Sequence, residues 1–295
     1  MKILITGASG YIGRHLALFL LSLDHSIFLL SQNKNKTNAL FNKCNLSDNK
    51  NLSFLDYADD LPSVDVIINL AGESISSHFL TKKRCQQILL SRLNVLNYLK
   101  DQLKKTNNPT PLLLQASALG IYANTDIVAD ENAELGCDCI ADICKTIEQE
   151  TLTLKPLFQR IVLLRLGIVL SSDSPFILKI QKLPKLKLIG KKKDLGWISL
   201  HDVLHAILFI INNDEIIGPC NLCAPNTASA QTLLNLNKEY SFLPSLPLPT
   251  FFLNFGDKRG LLINKNQTIT PSVLLNNGFK FKNLNLARLK IRSED

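Results

Sequence analysis

The sequence has no apolar run of about 18 residues, the length a bilayer-crossing helix needs. Its longest, Leu16 to Leu23, is far shorter, so neither a membrane-spanning helix nor a membrane partner is expected. Met1 runs directly into the strand-like Ile3-Leu4-Ile5-Thr6, with no charged, then apolar, then small-residue leader, and a cytoplasmic location is expected. Metal-ligand spacing is missing too. The five histidines form no H-E-x-x-H pattern, His201 and His205 lack a third ligand nearby, and Cys220-x-x-Cys223 has no second such pair, so no metal is expected. Seven cysteines, an odd number at irregular spacing, read as free thiols in a cytosolic chain. Negative charge is in short supply: 25 Asp plus Glu face 33 Lys plus Arg, a formal charge of +8. That excess admits nucleic acid, an anionic cofactor or solubility alone. The densest part, Lys179 to Lys193, contains no aromatic residue for base stacking, which counts against single-stranded nucleic acid.

What is present is a globular composition, 46% hydrophobic and 20% charged over 295 residues, enough for a sizeable core. Short apolar runs at Lys2–Thr6, Ile27–Leu30, Val64–Leu70, Leu112–Ala116 and Ile161–Leu166 alternate with helical periodicity at Tyr11–Leu23, Thr81–Lys104 and residues 138–155. Strands separated by helices of this length pair in parallel, with helices on both faces. Their uninterrupted apolarity fits a sheet covered on both sides. The fold class is therefore α/β, a doubly wound parallel sheet of Rossmann type with a smaller C-terminal substrate-side domain. Residues 1–170 are expected to form the dinucleotide-binding domain. Residues 171–295 form a substrate-side region, partly interleaved with it, in which 240–295 is a small separate unit after Pro244, Pro247 and Pro249.

Between the first strand and first helix stands Gly7-Ala8-Ser9-Gly10-Tyr11-Ile12-Gly13, a G-x-x-G-x-x-G loop. Such glycines permit a tight turn, close approach to a pyrophosphate and close packing of helix on strand, while the helix N-terminus attracts the phosphates. Gly7, Ser9, Gly10, Tyr11, Ile12, Gly13 and Arg14 are the expected cofactor contacts here. The acidic residue that would grip the ribose of NAD after the second strand is absent. Ser31-Gln32-Asn33-Lys34-Asn35-Lys36 stands there instead, so Gln32 and Lys34 are expected to meet a 2′-phosphate. NADP is favoured, with NAD as the alternative.

The chain resembles the extended short-chain dehydrogenase/reductases, and within them the bacterial NAD(P)-binding epimerase family with a short C-terminal family domain. The matching segments are TGASGYIG from Thr6, INLAGESI from Ile68, Ser91-Arg92, SALGIY from Ser117, LRLGIVL from Leu164, WISLHD from Trp197, GPCNLCAPN from Gly218 and TPSVLLNNGFKF from Thr270. The resemblance implies that Asn69, Leu70, Ala71 and Gly72 run along the cofactor and that Ser117 lies beside the nicotinamide. Members of the wider superfamily use a tyrosine and lysine spaced Y-x-x-x-K as acid/base machinery, a pair the narrow branch that this chain resembles also lacks. None of the five tyrosines has that lysine, and Ile140 and Cys144 fall at the two expected positions.

Ser117, Tyr122 and Glu73 remain as candidate catalytic residues, all near strand ends where ligands collect. The expected activity is that of an NADP-binding oxidoreductase or epimerase-like enzyme lacking the usual Tyr/Lys pair. The alternative is a non-catalytic dinucleotide-binding sensor or scaffold. The expected partners are a small-molecule substrate, anionic if the Lys179–Lys193 stretch faces it, and a second copy of the chain as a homodimer. Nucleic acid is not expected.

Overall fold

The computed structural model describes residues 1–42, 49–75, 80–105, 110–190, 193–236, 245–249 and 265–286. His78, Lys191, Lys192, Tyr240, Pro244 and much of 240–295 lie outside the described residues. In chain order the elements are β1 (Lys2–Thr6), α1 (Tyr11–Leu21), β2 (Ser26–Leu30), α2 (Lys34–Asn42), β3 (Leu52–Leu55), β4 (Val66–Asn69), α3 (Lys82–Leu103) and β5 (Thr110–Ala118). There follow β6 (Thr125–Ala129), α4 (Cys139–Leu152), β7 (Phe158–Leu166), β8 (Ile168–Leu170), α5 (Pro175–Ile180), β9 (Leu186–Ile189), β10 (Asp194–Leu195) and β11 (Trp197–Ser199). The last are α6 (Leu200–Ile211), β12 (Gly218–Leu222), β13 (Ala228–Ser229), α7 (Ala230–Leu234), β14 (Leu246–Pro249), β15 (Gln267–Ile269) and α8 (Ser272–Asn276).

The central sheet has seven strands in the order β12-β7-β5-β4-β1-β2-β3, every neighbouring pair parallel. It is a Rossmann-type α/β sheet, its strand order reversing between β1 and β4. Alternate side chains along each strand serve different layers. Ile3 and Ile5 of β1 join the core that contains Leu16 and Leu20 of α1 and Val203 and Ile207 of α6. Leu4 between them joins the core beneath Ile88 of α3 and Ile147 of α4. Burial on both faces explains the uninterrupted apolar runs.

Sequence periodicity did not reveal α2 and β3. In α2 only Thr37 and Phe41 are buried, and β3 is a four-residue edge strand with only Leu52 buried, so neither carries a strong apolar pattern. The seventh strand, β12, comes from the C-terminal half of the chain. A third core around Trp197 packs Ile177 and Ile180 of α5 against Leu233 of α7. The C-terminal stretch 265–286 returns to the main body through Leu274 and Phe279.

The expectation of free thiols throughout is corrected by one pair. Cys85 of α3 and Cys139 at the start of α4 form a disulfide, with 6.5 Å between their Cα atoms. The packing of two helices 54 residues apart in sequence creates this neighbourhood, which no local spacing announces. Cys137, Cys144, Cys220 and Cys223 are free.

Arg160 ties β7 to the end of α6. Its guanidinium donates to the carbonyls of Ile210 (3.0 Å), Asn213 (2.7 Å) and Ile216 (3.2 Å) from Nη1 and to Ile211 (3.2 Å) from Nη2. A cation at a helix C-terminus satisfies orphan carbonyls and complements the helix dipole. Arg160→Met should lower the unfolding free energy by about 2–3 kcal/mol, because the carbonyls lose a charged donor without losing their burial. Urea denaturation of the two proteins measures this.

Candidate active site at the carboxyl edge of the sheet

Two rows of polar side chains cross the carboxyl ends of the strands. In the first, Thr6 and Asn69 are register partners on β1 and β4, and Asn69 and Gln115 on β4 and β5. Thr6 donates to the Asn69 carbonyl at 2.5 Å, and the Asn69 amide donates to Gln115 at 2.7 Å. The Ala71 N–H donates to Thr6 Oγ1 at 3.2 Å, which fixes the Leu70–Gly72 loop over the sheet.

In the second row, Ser117, Arg165 and Asn221 are register partners on β5, β7 and β12. Ser117 donates to Glu148 Oε1 at 2.6 Å. Arg165 grips both oxygens of Glu148, Nε to Oε1 at 2.9 Å and Nη2 to Oε2 at 2.8 Å. The two side chains are only 4% and 8% exposed. Arg165 Nη1 donates to the Tyr122 hydroxyl at 2.8 Å, and Tyr122 donates onward to Asn221 at 2.7 Å. Buried Glu131 closes the network, accepting from the backbone N–H of Asn221 at 3.0 Å; burial raises its carboxyl above the usual range. None of Glu148, Arg165 and Asn221 stands out as a site residue by motif. The available signal was Arg165 itself, a charge inside the apolar run Ile161–Leu166.

A cavity of about 360 Å³ runs from the glycine loop to Ser117. Gly7, Gly10, Tyr11, Ile12 and Gly13 line one end; Leu70 and Ala71 line its length; Ser117, Cys144 and Arg92 line the other. Gly7 turns with φ +72°, and a Cβ there would lie 2.7 Å from the Leu70 backbone. A Cβ on Gly13 would lie 2.5 Å from the Gly7 carbonyl oxygen, so loop and helix touch backbone to backbone. The N-terminus of α1 has no side-chain cap and no acidic residue in its first turn, whereas α3, α4, α5 and α6 are capped by Thr81, Asp138, Ser174 and Ser199. Its N–H groups are thus left for an anionic ligand. The Tyr11 hydroxyl is hydrogen-bonded to Ser171 and donates to Asp173 at 3.0 Å, tying the loop to the segment that follows β8; burial raises its phenol above the usual range.

The other expected site residues are distributed unevenly. Ser9 and Gln32 are exposed, and Arg14 is half-buried on α1. Lys34 is held by Asp59 at 2.9 Å and Asp56 at 3.5 Å, so much of its charge is matched within the protein. Gly72 does not line the cavity itself but packs beneath Arg92, which does; a Cβ on it would lie 2.7 Å from Arg92 Cζ. Glu73 and Tyr122 do not line the cavity with Ser117. The Glu73 carboxylate, 48% exposed, turns to Arg84. Tyr122 is fully buried, and burial pushes its phenol up to about 12 despite the neighbouring Arg165. Cys144, in the expected lysine position, is pushed up to about 11 by burial and lies against Ser117. Lys145 pairs with Asp142 at 2.9 Å. Beside the basic stretch, Pro175 and Phe176 line the cavity and the described lysines do not. His201 and His205 stack at 3.9 Å, and among the described residues no cluster could hold a metal. No helix among them is long and apolar enough to cross a membrane.

A doubly wound sheet with an uncapped glycine turn opening on a serine-lined cavity defines a dinucleotide-binding protein of the short-chain dehydrogenase/reductase class. A family profile, the NAD dependent epimerase/dehydratase family, matches residues 3–137. The Epimerase family protein YfhF of Bacillus subtilis is 30% identical over 297 residues, covering 95% of this chain and 94% of its own. The chain belongs to this epimerase family, within the extended short-chain dehydrogenase/reductases. Among solved structures, human epimerase family protein SDR39U1 (isoform 2) with NADPH superposes with a TM-score of 0.77 at 20% identity, covering 97% of this chain and 96% of that one. The UDP-glucose 4-epimerase of Thermus thermophilus in complex with NAD gives 0.70 at 16% identity, covering 96% and 94%. At these identities the two structures show the shared fold.

Two outcomes follow from the buried network. Arg165→Met should cost about 3–5 kcal/mol of stability, because Glu148 is left charged and unpaired, and Arg165→Met/Glu148→Leu should recover part of it. Denaturant melts of the single and double variants check this. Tyr122 contributes a stability term that is full below its unfolded pKa of about 10. That term is lost as pH rises toward its folded value of about 12. Tyr122→Phe should therefore show a shallower decline in unfolding free energy than the parent across this alkaline window.

Proposed function

We propose that the protein is an NADP-binding oxidoreductase or epimerase-like enzyme that uses Ser117, in place of a tyrosine–lysine pair, to hold the reacting oxygen. The observation that carries this reading is the cavity joining the uncapped α1 N-terminus to the Ser117 hydroxyl. Its residues suit a nicotinamide dinucleotide. The α1 N-terminus would meet the pyrophosphate, and the backbone of Leu70 and Ala71 would follow it toward Ser117. Support for NADP over NAD comes from the absence of a carboxylate after β2 and from Arg14 and Lys36, which no ion pair occupies among the described residues. The NADPH in the human relative agrees with that preference.

When bound, the dinucleotide supplies hydride acceptance and return. The chain's own residues handle the oxygen and its proton. Ser117 directs its hydroxyl proton to Glu148, and Arg165 positions Glu148 by gripping both of its oxygens. The Ser117 oxygen consequently faces the cavity as an acceptor, suited to a substrate hydroxyl. As that hydroxyl is oxidised its proton passes to Ser117 Oγ while the Ser117 proton moves to Glu148; reduction of a carbonyl runs the same relay backward. Glu73 then serves to order its loop and Tyr122 to hold Arg165.

A second reading, a non-catalytic dinucleotide sensor, is favoured by one observation. Cys144 is pushed up to about 11, and no carboxylate, histidine or lysine among the described residues lines the cavity. Titration with NADPH and NADH should show binding, tighter for NADPH; binding of neither overturns the cofactor assignment. NADPH oxidation across a panel of carbonyl compounds should be lost in Ser117→Ala. A carbonyl substrate turned over equally by Ser117→Ala would remove Ser117 from the chemistry, and no turnover across the panel would favour the sensor.

A further inference from the structure

Arg92 is the one charged residue lining the cavity among the described residues. It belongs to the Ser91-Arg92 pair on α3, and both residues hold the loop after β4. Ser91 accepts from the Glu73 N–H at 3.0 Å, and Arg92 Nη1 donates to the Glu73 carbonyl at 3.1 Å and to Ile88 at 3.0 Å. These bonds fix the guanidinium directly over Gly72, whose φ is +151°; a Cβ on Gly72 would lie 2.7 Å from Arg92 Cζ. Any other residue at position 72 would displace the cation.

The hydrogen bonds of Arg92 go to neutral carbonyls. The nearest carboxylate in this loop, Glu73, is taken by Arg84, and Arg92 has no ion pair among the described residues. Burial disfavours its charge, and its neighbours at the cavity floor are Cys144 and Ser117. A guanidinium that is partly desolvated, immobilised and in no ion pair among the described residues, with the Glu73 carboxylate near enough to favour its charge but held by Arg84, suits an oxyanion in a cavity otherwise walled by apolar and neutral side chains. The glycine loop at the opposite end offers the uncapped N–H groups of α1 to a pyrophosphate, so an anion received at Arg92 is that of another molecule.

We propose that Arg92 binds a carboxylate or phosphate group of the substrate, making the substrate a small hydroxy or carbonyl acid with an apolar body. This rests on the reading that the dinucleotide occupies the glycine-loop end. Nη2 and Nε provide the remaining donors of the guanidinium fork, and the substrate's reacting oxygen lies toward Ser117. The apolar walls, Ile143, Ile147 and Leu166, favour a hydrocarbon framework between the two polar anchors.

The test is calorimetric titration of the NADP⁺-saturated protein with cyclohexanecarboxylate, phenyl phosphate and the neutral cyclohexylmethanol. At least one acid should bind about tenfold or more tighter than the alcohol, a difference within reach of one charged hydrogen-bonded pair. The better acid distinguishes carboxylate from phosphate. Arg92→Met should abolish the preference, and Arg92→Lys should retain part of it. The affinity of Arg92→Met for NADPH should stay within about threefold of the parent. Equal binding of acids and alcohol by the parent overturns the proposal. So does a larger loss of NADPH affinity in a folded Arg92→Met, which assigns the guanidinium to the cofactor; if that variant does not fold, Arg92→Lys supplies the same comparison. Failure of the parent to bind NADPH is a separate result and strikes the cofactor reading instead.

Discussion

The Glu148–Arg165 pair is the constraint around which the carboxyl edge of the central sheet is arranged. Two opposite charges this deeply buried are tolerable only when every remaining lone pair and proton is engaged. The structure meets that demand with Ser117 on one carboxylate oxygen, the guanidinium fork across both, and the Tyr122 hydroxyl on Arg165. Satisfying the pair thereby dictates the orientation of Ser117. Its hydroxyl donates to Glu148, and its oxygen lines the cavity beside Cys144.

The same network binds separate parts of the chain into one unit. Ser117, Arg165 and Asn221 come from three adjacent strands, Glu148 from the helix above them and Tyr122 from the turn that follows β5. Asn221 passes the connection to Thr270 through a 3.1 Å hydrogen bond, and Glu131 accepts from the Val273 N–H at 3.3 Å. The C-terminal stretch is therefore anchored on the polar groups that support the site, and not on apolar contact alone. Tyr122, attractive as an acid because the chain lacks the usual tyrosine, is a strut of this framework. Full burial and two hydrogen bonds give it a structural task and remove it from the cavity.

Charge is distributed with similar economy. The chain is basic overall, yet among the described residues the cavity is lined by a single charged side chain, Arg92. Lys34, which by position would reach toward a ribose phosphate, is already paired with Asp59 and Asp56. The described lysines after residue 178 stay off the cavity wall. Net charge therefore says little about this site, and the placement of one guanidinium over Gly72 says much more.

The sequence by itself determined the Rossmann class, the glycine turn and the identity of the loop after β4, because these depend on local periodicity and on residue types that only one backbone geometry accommodates. Gly7 and Gly13 are legible since nothing larger fits between loop, strand and helix. It also exposed the loss of the tyrosine and lysine, a matter of spacing along one helix. It did not reveal α2 and β3, whose buried residues are too few to make a pattern, nor the Cys85–Cys139 bond across two helices. Tertiary structure alone decided which polar residues share a site. Glu148 meets Ser117 across 31 positions and Tyr122 meets Asn221 across 99, contacts set by strand register and helix packing. It decided equally that Glu73 faces Arg84 and that Arg92 faces the cavity, because a side chain's direction depends on its neighbours in space.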